Sequence, residues 1–257
     1  PPVDGPTFPL LVPDQPPIMP QEAVLAVAQA LQHQRQRPIP PTLTSILAEG
    51  DRFPMMYPEL DPYHGVRREP HWDPMEPPVP LSETPPGRQF FAYLNGQNPA
   101  VEGYLTQMAL TGIPGVVYLR GGPPDVKARL RLQGLTILDR PGNLAEFLAR
   151  SAVLVHHGGS SSNSALSGGR PQLLFPQHLE QSTTARLLAK LGVAAVLYSG
   201  AQAEAAGHAL DRLLAEPRFA KAAPDLAARP VGRNCRGGPP PPALPALLDC
   251  CEARLAR

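Results

Sequence analysis

The chain has 257 residues, of which 42% are hydrophobic and 18% charged, a composition that suits one large globular domain or two small ones. A formal net charge of +1 and an aromatic content of 5% argue against a nucleic-acid partner, which calls for a basic surface and rings to stack on. No apolar run approaches the roughly 20 residues that span a bilayer, so no stable membrane insertion is expected.

No signal peptide is seen at the start. Cys235, Cys250 and Cys251 lack zinc-ligand spacing and lie near the C-terminus, which makes a reduced cytoplasmic protein the default expectation. Proline is unevenly spread. Of the 36, 21 fall in residues 1–86, 7 in 87–216 and 8 in 217–257. Because proline removes a backbone donor and breaks helices and central strands, the middle stretch is the part best able to build a regular core. The first residue is Pro1 rather than methionine, and sequence upstream is expected.

In chain order, residues 1–20 read as irregular. QEAVLAVAQALQHQRQ (21–36) has helical apolar spacing, and TLTSILAE (42–49) reads as a second short helix before Gly50. Residues 53–57 read as a short strand, and 58–87 as an extended, proline-rich linker. The texture then changes. Strands are expected at 89–94 (QFFAYL), 115–119, 135–138, 152–155, 172–175 and 193–197. Helices are expected at 100–110, 125–133, 143–150 with Asn143 as N-cap, 161–167, 182–190 with Ser182 as N-cap, and 203–214. The tail from 217 contains a Gly-Gly-Pro-Pro-Pro-Pro stretch and a last helix at 245–255.

Short apolar runs alternating with helices predict an α/β domain, a Rossmann-like doubly wound parallel sheet buried on both faces. The implied organisation is a partial, proline-rich N-terminal segment (1–58), a linker (59–87), the Rossmann-like domain (88–216) and a tail (217–257).

The chemistry concentrates in SAVLVHHGGSSSNSAL (151–166), where a strand stops at His156 and His157, passes Gly158 and Gly159, and enters a helix through Ser160, Ser161 and Ser162. In a doubly wound sheet, ligands sit beyond the carboxyl ends of the strands. Exposed N–H groups at a helix start favour an anion, and glycine lets the backbone approach it. Those features suit phosphate oxygens, while a flexible connector with a capping serine remains the plain alternative. A metal site is disfavoured, because adjacent histidines on extended backbone point to opposite sides and no further ligand follows at suitable spacing. A nucleophile elbow would read Gly-x-Ser-x-Gly, which this stretch does not. The next strand-end loop, PQHLEQ (176–181), offers Glu180 and Gln181, whose acceptors and donors suit the hydroxyls of a sugar. The plain alternative there is a carboxylate favouring a helix N-terminus beside a solvated amide.

HHGG, a Ser/Asn-rich turn, ALSGGRPQLLFPQHLEQ and TARLLAKLGV, in that order, resemble the C-terminal donor domain of GT-B glycosyltransferases, nearest to the UDP-glycosyltransferase-like enzymes that act on macrolides and other natural products. FFAYLNG and ILDRPGNLAEFLARSAVLVHHGG resemble earlier parts of that domain, and MMYPELDPY the end of the acceptor domain. The resemblance covers roughly residues 46–216 and is strongest over 135–197.

It implies an inverting hexosyltransferase. A UDP- or dTDP-sugar is the donor, a small-molecule or lipid-like hydroxyl the acceptor, and neither a cofactor nor a metal is needed. It further implies that His157 and the N–H groups of Gly159–Ser161 hold the diphosphate, with Asn95 approaching from the other side. Asp139, Arg140, Pro141 and Leu144 would border the nucleotide base and ribose, and Glu180 and Gln181 would hold the sugar. The base histidine is expected upstream, since His33, His64 and His71 read as surface or linker residues. Two departures are visible. One residue fewer separates His-Gly-Gly from Ala-Leu than is usual, and Ser161-Ser162 replaces the usual small pair. Two rivals are a nucleotide-sugar epimerase of related fold and a non-catalytic partner that keeps the fold.

Overall fold

The structure, a computed structural model, describes residues 1–12, 16–48, 50–76, 78–81, 87–228 and 243–255. Cys235, Glu49 and the Gly-Gly-Pro-Pro-Pro-Pro stretch lie outside the described residues. Contacts divide the chain into two units: Pro1–Met75 with the stretch from Gly232, and Glu76–Val231.

In the first unit, α1 (Gln21–Gln34) ends where Gln36 takes a left-handed φ of 52°, two residues short of the expected end. The second helix is a single turn, α2 (Ser45–Ala48). The strand expected at 53–57 is not formed. One bridge, Met55 to Trp72, stands there, with the rings of Phe53 and Trp72 5.0 Å apart.

Part of the expected linker is folded. After a 3-10 turn at Pro58–Leu60, buried Asp61 accepts the N–H of Tyr63 at 2.9 Å, bonds Nε2 of His71 at 2.9 Å and pairs with Arg67. Burial works against the Asp61 carboxylate. The bonds from His71 and Arg67 outweigh it and hold the group far below the usual carboxylate range. His71, read from sequence as a surface or linker residue, is fully buried here. The unit also holds the last helix, α10 (Ala243–Leu255), where Cys250 Sγ lies 2.8 Å from Asp51 Oδ2.

The second unit is built on β1 (Phe90–Asn95), β2 (Gly115–Arg120), β3 (Thr136–Leu138), β4 (Val153–His156), β5 (Gln172–Leu174) and β6 (Ala194–Val196). All pairs are parallel and the order is β3-β2-β1-β4-β5-β6, as a doubly wound sheet requires. The chain works outward from β1 to β3, crosses back to β4 and continues to β6. The order therefore reverses between β1 and β4.

The connecting helices are α3 (Ala100–Leu110), α4 (Pro124–Leu132), α5 (Leu144–Arg150), α6 (Ser161–Ser167), α7 (Leu179–Lys190) and α8 (Glu204–Ala215). Side chains of β1 alternate between two cores. Phe90, Ala92 and Leu94 join Leu105 and Met108 of α3 and Leu210 of α8. Phe91 joins Leu148 of α5, Leu154 of β4 and Ala165 of α6, with Tyr93 packed alongside. Burial on both faces is why these strands read as continuous apolar runs.

Two expectations change. Helix α7 begins at Leu179 with His178 as N-cap rather than at Ser182, so Glu180 and Gln181 sit in its first turn and not in a loop. The Gln181 side chain explains the earlier start: Oε1 accepts the Gln177 N–H at 2.8 Å, an exchange close to a capping box. Beyond residue 216, a further helix, α9 (Pro217–Ala227), packs on α6 and α8 and buries Phe219, Ala223 and Leu226. By sequence alone those residues fall in the tail. Pro217 occupies the first turn, where its missing N–H costs nothing.

Candidate functional site

Where the strand order reverses, the carboxyl ends of β1 and β4 part and leave a cavity of about 190 Å³. Asn95 and Arg120 lie on its β1–β2 side, His157 and Gly159–Ser161 on its β4–α6 side, and Gln181 joins from α7. Among the described residues, no carboxylate lines it.

The two histidines have separate tasks. Ring atom Nδ1 of His156 accepts the Gly158 N–H at 3.2 Å, so Nε2–H faces Gln172 Oε1 at 2.9 Å. Burial is complete and pushes this imidazole down to about 4, against the opposing bond to Gln172. It is neutral and holds the turn. Ring atom Nε2 of His157 accepts the Asn95 N–H at 2.7 Å, which leaves Nδ1–H to donate to the Phe175 carbonyl at 2.7 Å. His157 thus ties the ends of β1 and β5 together across β4. Burial lowers its pKa, and the nearby charge of Arg120 adds to the effect.

The turn that follows is shaped for close approach. Gly158 has φ of 96°, and a Cβ there would stand 3.1 Å from the Gln181 carbonyl oxygen. At Gly159 a Cβ would meet nothing within 4 Å. Ser160 precedes α6 without a side-chain capping bond, which leaves its hydroxyl at the cavity. Among the described residues, no backbone carbonyl accepts the N–H of Gly159, Ser160 or Ser161. Free donors at a helix start, beside a guanidinium, suit anionic oxygen.

Of the residues singled out from the sequence, Asn95, His157, Gly159, Ser160, Ser161 and Gln181 line this cavity. The others do not reach the cavity. Gly158 is buried behind the turn, and Ser162 is buried with no partner for its Oγ. Glu180 is exposed in the first turn of α7. Asp139, Arg140 and Pro141 are exposed after β3, with Asp139 paired to Arg131 at 2.7 Å, and Leu144 packs beside Leu148. They stand at the carboxyl rim of the same sheet, two strands away from β1.

Arg120 escaped the sequence reading. Its signal was a lone cation closing the apolar run GVVYL, at the same register as Asn95 in the pairing of β1 with β2. Among the described residues, no group of three or more His, Cys, Asp or Glu side chains is placed to hold a metal ion, and no helix is long and apolar enough to cross a membrane.

Among solved structures, the chain is similar to the glycotransferase of kitacinnamycin, with a TM-score of 0.59 and 18% identity over 80% of this chain and 57% of that one. A second likeness is to CalG4, the calicheamicin glycosyltransferase, with a TM-score of 0.58 and 17% identity over 80% of this chain and 56% of that one. The fold is that of the GT-B glycosyltransferases. The chain spans little more than half the length of these two proteins, and no protein-family model and no curated protein sequence matches it. In this glycosyltransferase fold, the cavity lies at the switch point of the second unit's sheet, where open α/β sheets bind ligands.

Proposed function

We propose that this chain carries the donor side of a glycosyltransferase. In this reading a UDP- or dTDP-sugar docks at the carboxyl rim of the six-stranded sheet, and a hexose passes with inversion to the hydroxyl of a small-molecule or lipid-like acceptor. The observation that carries the reading is the carboxylate-free cavity between β1 and β4, faced by the free N–H groups of Gly159–Ser161.

The chemistry follows from charge. As the bond from the anomeric carbon to the diphosphate breaks, negative charge grows on the leaving phosphate oxygens. Donors already aimed at that position stabilise the transition state without reorganising. In this role Gly159, Ser160 and Ser161 meet the diphosphate, helped by the serine hydroxyls and by Asn95. His157 keeps the two strand ends at the right separation. The loop bearing Asp139, Arg140, Pro141 and Leu144 borders the base and ribose, and Glu180 and Gln181 meet the sugar hydroxyls from the first turn of α7. The reading calls for no metal ion, because these donors face the diphosphate themselves.

Calorimetric titration of the chain with UDP and dTDP tests it. The expected result is saturable binding by at least one of them, with a raised melting temperature; a ligand present at a hundred times its Kd stabilises by about 2.7 kcal/mol. A folded chain that binds neither nucleotide overturns the reading. Binding without sugar transfer to any acceptor moves it toward the non-catalytic partner, and conversion of the sugar without an acceptor moves it toward the epimerase.

A further inference from the structure

We infer that Arg120, rather than either histidine, supplies the positive charge of this cavity and makes it selective for a diphosphate over an uncharged nucleoside. The inference deepens the donor reading above and rests on it for the nucleotide.

Three charge-bearing side-chain candidates line the cavity: His156, His157 and Arg120. His156 is sealed in the sheet, with one ring nitrogen on Gly158 and the other on Gln172. His157 has both ring nitrogens committed to backbone groups, Asn95 N–H and the Phe175 carbonyl. Neither has a donor left for a ligand. Protonating Nε2 of His157 would set a proton against the Asn95 N–H, so the geometry itself keeps this ring neutral. Arg120 is left as the cavity's one cation among the described residues.

Four arginines elsewhere in the unit are held by carboxylates. Arg129 is paired with Glu102 and Asp125, Arg131 with Asp139, and Arg212 and Arg218 with Glu216. No such pair is formed by Arg120 among the described residues. Five guanidinium N–H donors in a planar fork suit phosphate oxygens.

The backbone beneath Arg120 is held in place. Its carbonyl accepts the Gly96 N–H at 2.9 Å, and a Cβ on Gly96 would stand 2.3 Å from the Gly122 Cα. The turns after β1 and β2 are pressed together backbone to backbone. That contact fixes Asn95 and Arg120 side by side at the rim, in register. The Arg120 side chain is exposed at that rim, open to an anion.

Calorimetry of the full chain with three probes, UDP, inorganic pyrophosphate and uridine, tests the assignment. Arg120→Gln is compared with Arg120→Lys and with Arg212→Gln, which removes the same charge away from the cavity. A charge-assisted bond predicts that Arg120→Gln weakens UDP and pyrophosphate by about tenfold or more. Uridine binding and the melting temperature stay unchanged, Arg120→Lys recovers part of the loss, and Arg212→Gln has no effect. The salt dependence of UDP binding also flattens in Arg120→Gln. Equal UDP affinity in parent and Arg120→Gln overturns the role of Arg120 and leaves the donor reading standing. Pyrophosphate bound through Arg120 without any nucleotide binding overturns the donor reading and leaves Arg120 standing. A parent that binds no probe overturns both.

Discussion

Two glycines that look alike in HHGGSSS have opposite requirements. A side chain at Gly158 would be forced into a left-handed φ of 96° and against the Gln181 carbonyl. Gly158→Ala should therefore lower stability by about 1–3 kcal/mol, read by urea unfolding, and UDP binding should fall with it. Gly159→Ala should keep parent stability, because its Cβ meets nothing in the protein, yet in the donor reading weaken UDP by placing a methyl where the diphosphate would dock. The adjacent histidines diverge as well. His156 titrates near 6.5 when unfolded, but burial pushes it to about 4 in the fold. As pH falls from about 6.5 toward 4, the unfolded chain takes up a proton that the native one refuses, and stability drops by on the order of 3 kcal/mol. His157, also lowered, adds to the loss in the same window. Unfolding free energies at pH 7 and pH 5 should show the fall, and His156→Gln should reduce it. That the two histidines stand at the end of a strand was readable from the apolar run before them. That His157 would be consumed by backbone was not, since its partners lie 62 and 18 positions away.

Helix starts show where local chemistry suffices. Asn143 caps α5 as expected, its Oδ1 accepting the Ala145 N–H at 3.0 Å and its Nδ2 reaching Glu146 at 3.2 Å. Asn143→Ala should cost about 1 kcal/mol in denaturant unfolding. Helix α7 shows the limit. Ser182 is a good capping residue, but Gln181 reaching back to Gln177 closes an earlier turn and His178 takes the cap. Helix α9 was hidden by composition. Two prolines made its stretch look like tail, although Phe219, Ala223 and Leu226 recur at helical spacing and are buried. Phe219→Ala should cost about 3–5 kcal/mol and broaden or lower the unfolding transition of the second unit, whereas a detached tail would tolerate it.

The two units depend on different forces. The second is a layered sheet with an apolar core on each face. The first contains a short proline-rich stretch held by Asp61, Arg67 and His71. Removing one partner from a buried ion cluster leaves the other charge uncompensated, at about 3–5 kcal/mol. Asp61→Asn should therefore raise hydrogen exchange across residues 58–72 while UDP affinity persists. Because the Asp61 pKa is depressed, the stability it contributes is present at neutral pH. It is lost as pH falls below about 3.9 and onward through the lowered value. Composition and alternation were enough to set the α/β class and the order of strands and helices over residues 88–216. Each of those is written in neighbouring residues: a strand buried on both faces is a short apolar run, and a helix repeats its apolar positions every turn. Folding alone brought Arg120 level with Asn95, spent His157 on two strand ends, buried Asp61 with His71 and packed α9 on α6 and α8. These are meetings between segments far apart in the chain, and a contact across the fold leaves no periodic mark in the residues that make it.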